Sequence, residues 1–143
     1  MNRLLVRDVM TTSVITAREN EDLAALNDLM FEKHIRHVPV VDKGGDLVGI
    51  ISHRDIIGSA LYASTSLPVT ELQQVLRKTK AAEVMVTGVE TLEPDATLLE
   101  AGQELLDNKF GCLPIVEGTK LVGIITEADF IRAVVDQELE KEE

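Results

Sequence analysis

One pattern of hydrophobic and polar positions occurs twice along the chain. In residues 38–55 (VPVVDKGGDLVGIISHRD) a short apolar run is followed by a polar turn with two glycines and by a second apolar run. Residues 113–129 (LPIVEGTKLVGIITEAD) repeat this pattern with one residue fewer in the turn. Short apolar runs bounded by turn residues are typical of β-strands. The pattern therefore predicts two β-hairpins that belong to a tandem repeat.

Apolar residues at helical spacing follow and precede each hairpin, and they predict two helices per repeat. Asp22 is placed to cap the early helix of the first copy, and Thr97 opens a capping box (TLLE) at the matching helix of the second. Short strands are predicted at residues 14–16 and 89–92, a connecting loop at 62–68 and a connecting helix at 70–78. The predicted inward-facing residues are Leu23, Leu26, Leu29 and Met30 in the first copy and Leu98, Ala101 and Leu105 in the second.

Each hairpin ends in a polar quartet, SHRD at 52–55 and TEAD at 126–129, directly before a predicted helix. One interpretation is a capping box, in which the hydroxyl accepts a backbone N–H and the acid lies near the positive end of the helix dipole. The other is a ligand site, since a hydroxyl, a carboxylate and free N–H groups at a helix N-terminus can hold a phosphorylated ribose. The residues leave both interpretations open.

The ordered set of motifs resembles a tandem pair of CBS domains, also called a Bateman module. The matching segments are DVMT at 8–11 and EVMV at 83–86, the strands VPVV and LPIV, and the closing GIISHRD and GIITEAD. The resemblance covers nearly the whole chain and implies an α/β fold of two β-α-β-β-α repeats, packed with pseudo-twofold symmetry into one module. We predict repeat 1 at residues 1–61, a linker with a short helix at 62–79, and repeat 2 at 80–143.

The same resemblance implies non-catalytic regulatory binding of an adenosine-containing ligand (AMP, ADP, ATP or S-adenosylmethionine) in clefts between the repeats, with no cofactor. The implied ribose-binding residues are Ser52, Asp55, Thr126 and Asp129. The implied base pocket is lined by Ile15, Ile35, Val38, Ile50, Leu113 and Ile124. A nucleotide that bridges both repeats would shift their arrangement to the extent that its affinity differs between two states.

Four basic residues of the first repeat flank the positions where the resemblance places ligand phosphates. They are Arg36, His37, His53 and Arg54, whereas the second repeat has Gly111, Cys112, Glu127 and Ala128 at the corresponding positions. The alternative interpretation is a set of ordinary surface charges. If the basic residues do bind phosphate, the two sites are not equivalent.

Composition excludes several other functions. The net charge of −11 argues against nucleic-acid binding, and no apolar run has the length of a membrane span. The chain has a single cysteine, Cys112, before an apolar strand, which favours an inert, partly buried thiol and a cytoplasmic setting. His34 and His37 have no evident third ligand, so no metal site is predicted. Without a nucleophile paired with a base, an enzyme has the least support.

Two expectations concern partners. The helices after the hairpins carry more apolar surface than one small module needs to bury, and with the resemblance this predicts a homodimer through Ile56, Ile57, Leu61, Phe130, Ile131 and Val134. An unidentified effector protein is a further candidate partner. The alternative function is a dimerisation or interaction scaffold, whose clefts stay empty and which regulates a separate partner protein.

Overall fold

The computed structural model describes residues 4–63, 68–108 and 111–141, and these form a mixed α/β structure. Two compact units are present: unit I is Ile15–Val89, and unit II combines Met1–Val14 with Glu90–Glu143. The elements in chain order are α1 (Val6–Val9), α2 (Leu23–Lys33), β1 (His37–Val41), β2 (Leu47–Ser52), α3 (His53–Ala63), α4 (Val69–Lys78), α5 (Ala81–Val84), α6 (Leu98–Asn108), β3 (Cys112–Glu117), β4 (Lys120–Thr126) and α7 (Glu127–Lys141).

Each unit is built on one antiparallel hairpin, which confirms the two predicted hairpins. β1 pairs with β2 in unit I, with Pro39 opposite Ile50, and β3 pairs with β4 in unit II, with Pro114 opposite Ile124. The register shifts between Val40 and Val41 in unit I and at the equivalent place in unit II. Both hairpins therefore carry the same irregularity, as expected for copies of one sequence pattern.

The predicted first strand of each repeat is reduced to a single bridging residue. Ala17 pairs in parallel with Val40, through hydrogen bonds from Ala17 N–H to the Pro39 carbonyl and from Val41 N–H to the Ala17 carbonyl, both 2.9 Å. Leu92 makes the matching bridge to Ile115 in unit II. The strand prediction at 14–16 was therefore too early and too long. The pairing also does not continue beyond Ala17, because the chain turns directly after it, where Glu21 N–H donates to the Arg18 carbonyl at 3.1 Å.

The predicted helix starts and inward faces are confirmed in both units. Asp22 Oδ1 accepts the Ala25 N–H at 2.8 Å, and Thr97 Oγ1 accepts the Glu100 N–H at 3.1 Å, so each side chain satisfies a backbone donor of the first turn. Within the described residues no polar or charged side chain is buried. The core residues include Leu23, Leu26, Met30, Val38, Val40, Ile51 and Ile56 in unit I, and Val6, Leu98, Ala101, Leu105, Leu113, Ile115 and Ile125 in unit II.

The opening segment of each repeat, residues 8–11 in the first and 83–86 in the second, lies in the unit that contains the other repeat's hairpin. Thr11 and Ile124 exchange backbone hydrogen bonds of 2.8 and 3.0 Å in unit II, and Val86 and Ile50 exchange bonds of 2.9 and 3.0 Å in unit I. A Cβ placed on Gly49 would lie 2.8 Å from the sulfur of Met85, so that glycine makes room for the incoming segment. The sequence repeats and the compact units therefore do not coincide.

The connection between the repeats is partly helical. The predicted loop at 62–68 is shorter than expected, since α3 continues through Ala63, and residues 64–67 lie outside the described residues. The predicted helix at 70–78 is confirmed as α4, with Leu76 packed against the core of unit I. No helix in the described ranges combines the length and the apolar character that a membrane span requires.

Candidate functional site

The end of β2 and the start of α3 form a corner closed by reciprocal hydrogen bonds. Ser52 N–H donates to Asp55 Oδ2 at 2.8 Å, and Asp55 N–H donates to Ser52 Oγ at 3.1 Å. This is a capping box, so the first interpretation of the SHRD quartet is confirmed. The cap uses one lone pair of Asp55 Oδ2, and no other donor among the described residues is bonded to this carboxylate. Capping and ligand binding are therefore compatible at this corner.

Four basic residues surround the same corner of unit I. His37 lies opposite Ser52 in the β1–β2 register, and His53 N–H donates to the Arg36 carbonyl at 2.8 Å. Arg54 follows His53 on the first turn of α3. The arginine side chains are exposed and the histidines are half-buried. The structure thus brings together all four predicted phosphate-binding residues with the two predicted ribose-binding residues of the first repeat.

The matching corner of unit II has the same backbone and different chemistry. Thr126 N–H donates to Asp129 Oδ2, and Asp129 N–H donates to Thr126 Oγ1, both at 3.1 Å. The four positions that carry basic residues in unit I are here Gly111, Cys112, Glu127 and Ala128, with the Glu127 N–H bonded to the Gly111 carbonyl at 3.1 Å. A phosphate at this corner would meet a carboxylate and no cation from these positions.

Sequence reasoning missed two residues that bind Asp129. Thr11 Oγ1 donates to Asp129 Oδ2 at 3.3 Å, and Arg132 Nη1 lies 3.4 Å from Asp129 Oδ1. The sequence contains one indication of these two residues, since each differs in type from its counterpart in the other repeat. Thr11 corresponds to Val86 in the two opening segments, and Arg132 corresponds to Gly58 in the helices after the hairpins.

The six predicted base-pocket residues fall into different environments. Val38 and Leu113 are fully buried members of the hydrophobic cores, so their side chains serve the cores and only their backbone can line a pocket. Ile50 and Ile124 precede the core residues Ile51 and Ile125 in their strands, so they lie on the opposite sheet face. Both are nonetheless buried, Ile50 completely. The remaining two, Ile15 and Ile35, are half-buried in unit I, and Ile35 packs against its core.

Cys112 is expected to be unreactive in the folded protein. Burial raises the pKa of its thiol from 9.0 to about 12, so at pH 8 only about one thiol in ten thousand is the reactive thiolate. Iodoacetamide at pH 8 should label native protein far more slowly than protein unfolded in urea. Because the chain has one cysteine, all labelling reports on this site. Equal rates in the two states would show that the thiol is accessible.

The repeated fold and the capped corners define a tandem CBS protein. The CBS domain family model matches residues 6–62 and 81–136, and the chain belongs to this family. The family resemblance drawn from the motifs is therefore confirmed.

Solved structures similar to the chain cover nearly all of it. AcuB from Vibrio cholerae is 35% identical with a TM-score of 0.82, and the match covers 99% of this chain and 98% of that one. The CBS domain pair of MJ0100, in complex with 5′-methylthioadenosine and S-adenosyl-L-methionine, is 26% identical with a TM-score of 0.80, covering 95% and 99%. CBSX2 in complex with AMP is 27% identical with a TM-score of 0.78, covering 94% and 98%.

Curated relatives differ in length. The protein MJ1426 of Methanocaldococcus jannaschii is 30% identical over 155 residues, and the match covers 92% of each chain. A homoserine O-acetyltransferase from Methanococcoides burtonii is 32% identical over 130 residues, but the match spans only 24% of its length. The match to the acetyltransferase thus covers only a minor part of that protein.

Proposed function

We propose that the chain is a non-catalytic, cytoplasmic regulatory module that binds an adenosine-containing ligand at the corner of unit I. The observation that carries the proposal is the clustering of Ser52, Asp55 and four basic residues around the β2–α3 junction. A carboxylate and a group of cations at one helix start suit a ligand with a diol at one end and a phosphate at the other.

Each part of the ligand has a matching group. The Asp55 carboxylate accepts from the 2′ and 3′ hydroxyls of the ribose, one at Oδ1 and one at the remaining lone pair of Oδ2, while Oδ2 continues to accept the Ser52 N–H. Arg36 and Arg54 give charge-assisted hydrogen bonds to the phosphate, together with the two histidines when these are protonated. Ile15 and Ile35 are the half-buried apolar residues of unit I that we assign to the adenine ring.

Two further observations support regulation by an adenosyl ligand. CBSX2 and the MJ0100 pair, both similar in fold, have been solved with AMP and with S-adenosyl-L-methionine and methylthioadenosine respectively, which share an adenosine group. The hydroxyls of Ser52 and Thr126 accept helix-capping hydrogen bonds, as a structural group does. Such a structural role is what we expect of a non-catalytic module.

A thermal-shift screen of the full chain against AMP, ADP, ATP and S-adenosylmethionine tests this function. A ligand at 100 times its Kd should stabilise the folded state by about 2.7 kcal/mol, and the ligand should be recovered chemically unchanged. A flat screen would contradict the proposal and favour the alternative scaffold function. Turnover of the ligand would show that the protein is an enzyme.

We also propose that the chain forms a homodimer, although the structure changes which residues are available for it. Ile56 is 1% exposed and Phe130 packs against the core of unit II, so neither is free to bind a partner, and the side chain of Leu61 lies outside the described residues. Ile57, Ile131 and Val134 remain exposed, by 44%, 61% and 40%. The homodimer prediction therefore rests on these three residues.

Sedimentation should show a species of twice the 15.7 kDa chain mass at micromolar concentration. Ile131→Glu should weaken association at least about tenfold, because a charge would be desolvated in the contact. Phe31→Glu is the control, since Phe31 is 83% exposed but lies on α2 of unit I. A monomeric native protein would contradict the prediction, and an effect of Phe31→Glu in place of Ile131→Glu would move the contact to α2.

A further inference from the structure

We propose that Thr11 determines whether the corner of unit II can bind an adenosyl ligand, because its hydroxyl takes the second lone pair of Asp129 Oδ2, which the ribose of such a ligand needs. This inference rests on the proposed function, since it applies the same ribose chemistry to the second corner. It adds a residue outside the SHRD and TEAD quartets that decides how many of the two corners can bind a ligand.

The Asp129 carboxylate already accepts hydrogen bonds from other residues of the protein. Its Oδ2 accepts both the Thr126 N–H at 3.1 Å and the Thr11 hydroxyl at 3.3 Å. Its Oδ1 pairs with Arg132 at 3.4 Å. Both carboxylate oxygens therefore already have partners from the protein, although the Arg132 side chain is 67% exposed and such a pair contributes little. Thr11 is the stronger determinant because it is held in place by the backbone.

That backbone restraint is a pair of hydrogen bonds beside the hydroxyl. Thr11 N–H donates to the Ile124 carbonyl at 2.8 Å, and Ile124 N–H donates to the Thr11 carbonyl at 3.0 Å. Met10, the preceding residue, packs over Gly123, where a Cβ would lie 2.6 Å from its sulfur. The Thr11 hydroxyl is thus pre-positioned at Asp129, and a ribose diol would have to compete with it.

Unit I provides the natural comparison. Val86 makes the same two backbone bonds, to Ile50, but has a methyl group where Thr11 has its hydroxyl. Gly58 stands where unit II has Arg132. The Asp55 carboxylate accordingly accepts only the Ser52 N–H from the described residues. The two aspartates therefore differ in their partners through one residue of the opening segments, Thr11 or Val86, and through Arg132 on α7.

Exchanging the two residues tests the inference in the full chain. The probe is adenosine, because without a phosphate its binding does not depend on the basic residues of unit I. Calorimetry of the native protein should show one event per chain, lost in Asp55→Ala. Thr11→Val should add a second event that Asp129→Ala removes, with Asp129-dependent affinity raised about three- to tenfold. Val86→Thr should weaken the first event by a similar factor.

The outcomes separate this inference from the proposed function. Two equal events in the native protein, or no added event in Thr11→Val, would overturn the role of Thr11 while leaving the proposed function supported. Loss of binding in Thr11→Val would also overturn it, because Thr11 would then be a ligand-binding residue. If neither the native protein nor any variant binds adenosine, AMP or ADP, the proposed function fails and the inference fails with it.

A double-mutant cycle tests the contact itself without ligand. In urea unfolding, Thr11→Val and Asp129→Ala together should cost less stability than their separate losses combined, because each removes the same hydrogen bond. Thr11→Val combined with Asp55→Ala is the control and should be additive, since those residues lie in different units. Additivity in both pairs would show that the hydroxyl does not occupy Asp129 and would overturn the inference.

Discussion

Gly49→Ala is expected to destabilise the protein by about 1–3 kcal/mol, the usual scale for an overpacked site. The new Cβ would lie 2.8 Å from Met85 Sδ and 2.9 Å from the Val86 carbonyl oxygen. The methionine side chain can move, but the carbonyl accepts a hydrogen bond from the Ile50 N–H and cannot move without loss of that bond. Urea unfolding measures the change in the free energy of unfolding.

Gly58→Ala is the matched control, because it adds the same methyl group where nothing lies within 4 Å. Gly58 is inside α3, where alanine is favoured over glycine by about 1 kcal/mol, so this variant should be more stable than the native protein. Opposite signs for the two substitutions would show that the close approach of residues 85–86 to β2 is real. A neutral Gly49→Ala would contradict the packing of the opening segment on its hairpin.

The hairpins, the helix starts and the core faces could be predicted from the sequence because each depends on residues close together in the chain. The Asp22 cap joins positions three apart, as does each capping box. Helical spacing of Leu23, Leu26 and Met30 was enough to identify a buried face. The single bridge at Ala17 was missed in detail because period-two patterning over three residues does not reveal how long a pairing continues.

The contacts that distinguish the two corners were not predictable in this way. Thr11 and Asp129 are 118 positions apart, and no local pattern indicates which hairpin the opening segment joins. The charge difference between the corners was visible in the sequence, because it follows from aligning the repeats. The occupied carboxylate of Asp129 required the three-dimensional pairing of Thr11 with Ile124. Comparison of the repeats therefore finds differences in residue type, whereas the structure shows which of the differing residues are in contact.

Asp55→Ala is expected to reduce adenosyl-ligand affinity at the corner of unit I by about 1.5–3 kcal/mol, the scale for hydrogen bonds to a charged group. Stability should fall by only about 1 kcal/mol, because the substitution removes the bond from Ser52 N–H but retains the Ser52 hydroxyl as a helix cap. Calorimetry with ADP measures the first quantity and urea unfolding measures the second.

Asp129→Ala is the matched control for this substitution, since it removes an equivalent capping carboxylate from unit II. It should lower stability at least as much, because Asp129 also accepts the Thr11 hydroxyl, and it should leave the ADP event unchanged, because the basic residues lie near Asp55. The ribose assignment has its own test in 2′-deoxy-ADP, which should bind the native protein more weakly than ADP does. In Asp55→Ala the two nucleotides should bind equally, because the group that senses the 2′ hydroxyl is gone. A native protein that binds ADP and 2′-deoxy-ADP with equal affinity would show that Asp55 serves only as part of the helix cap, whatever else holds the nucleotide.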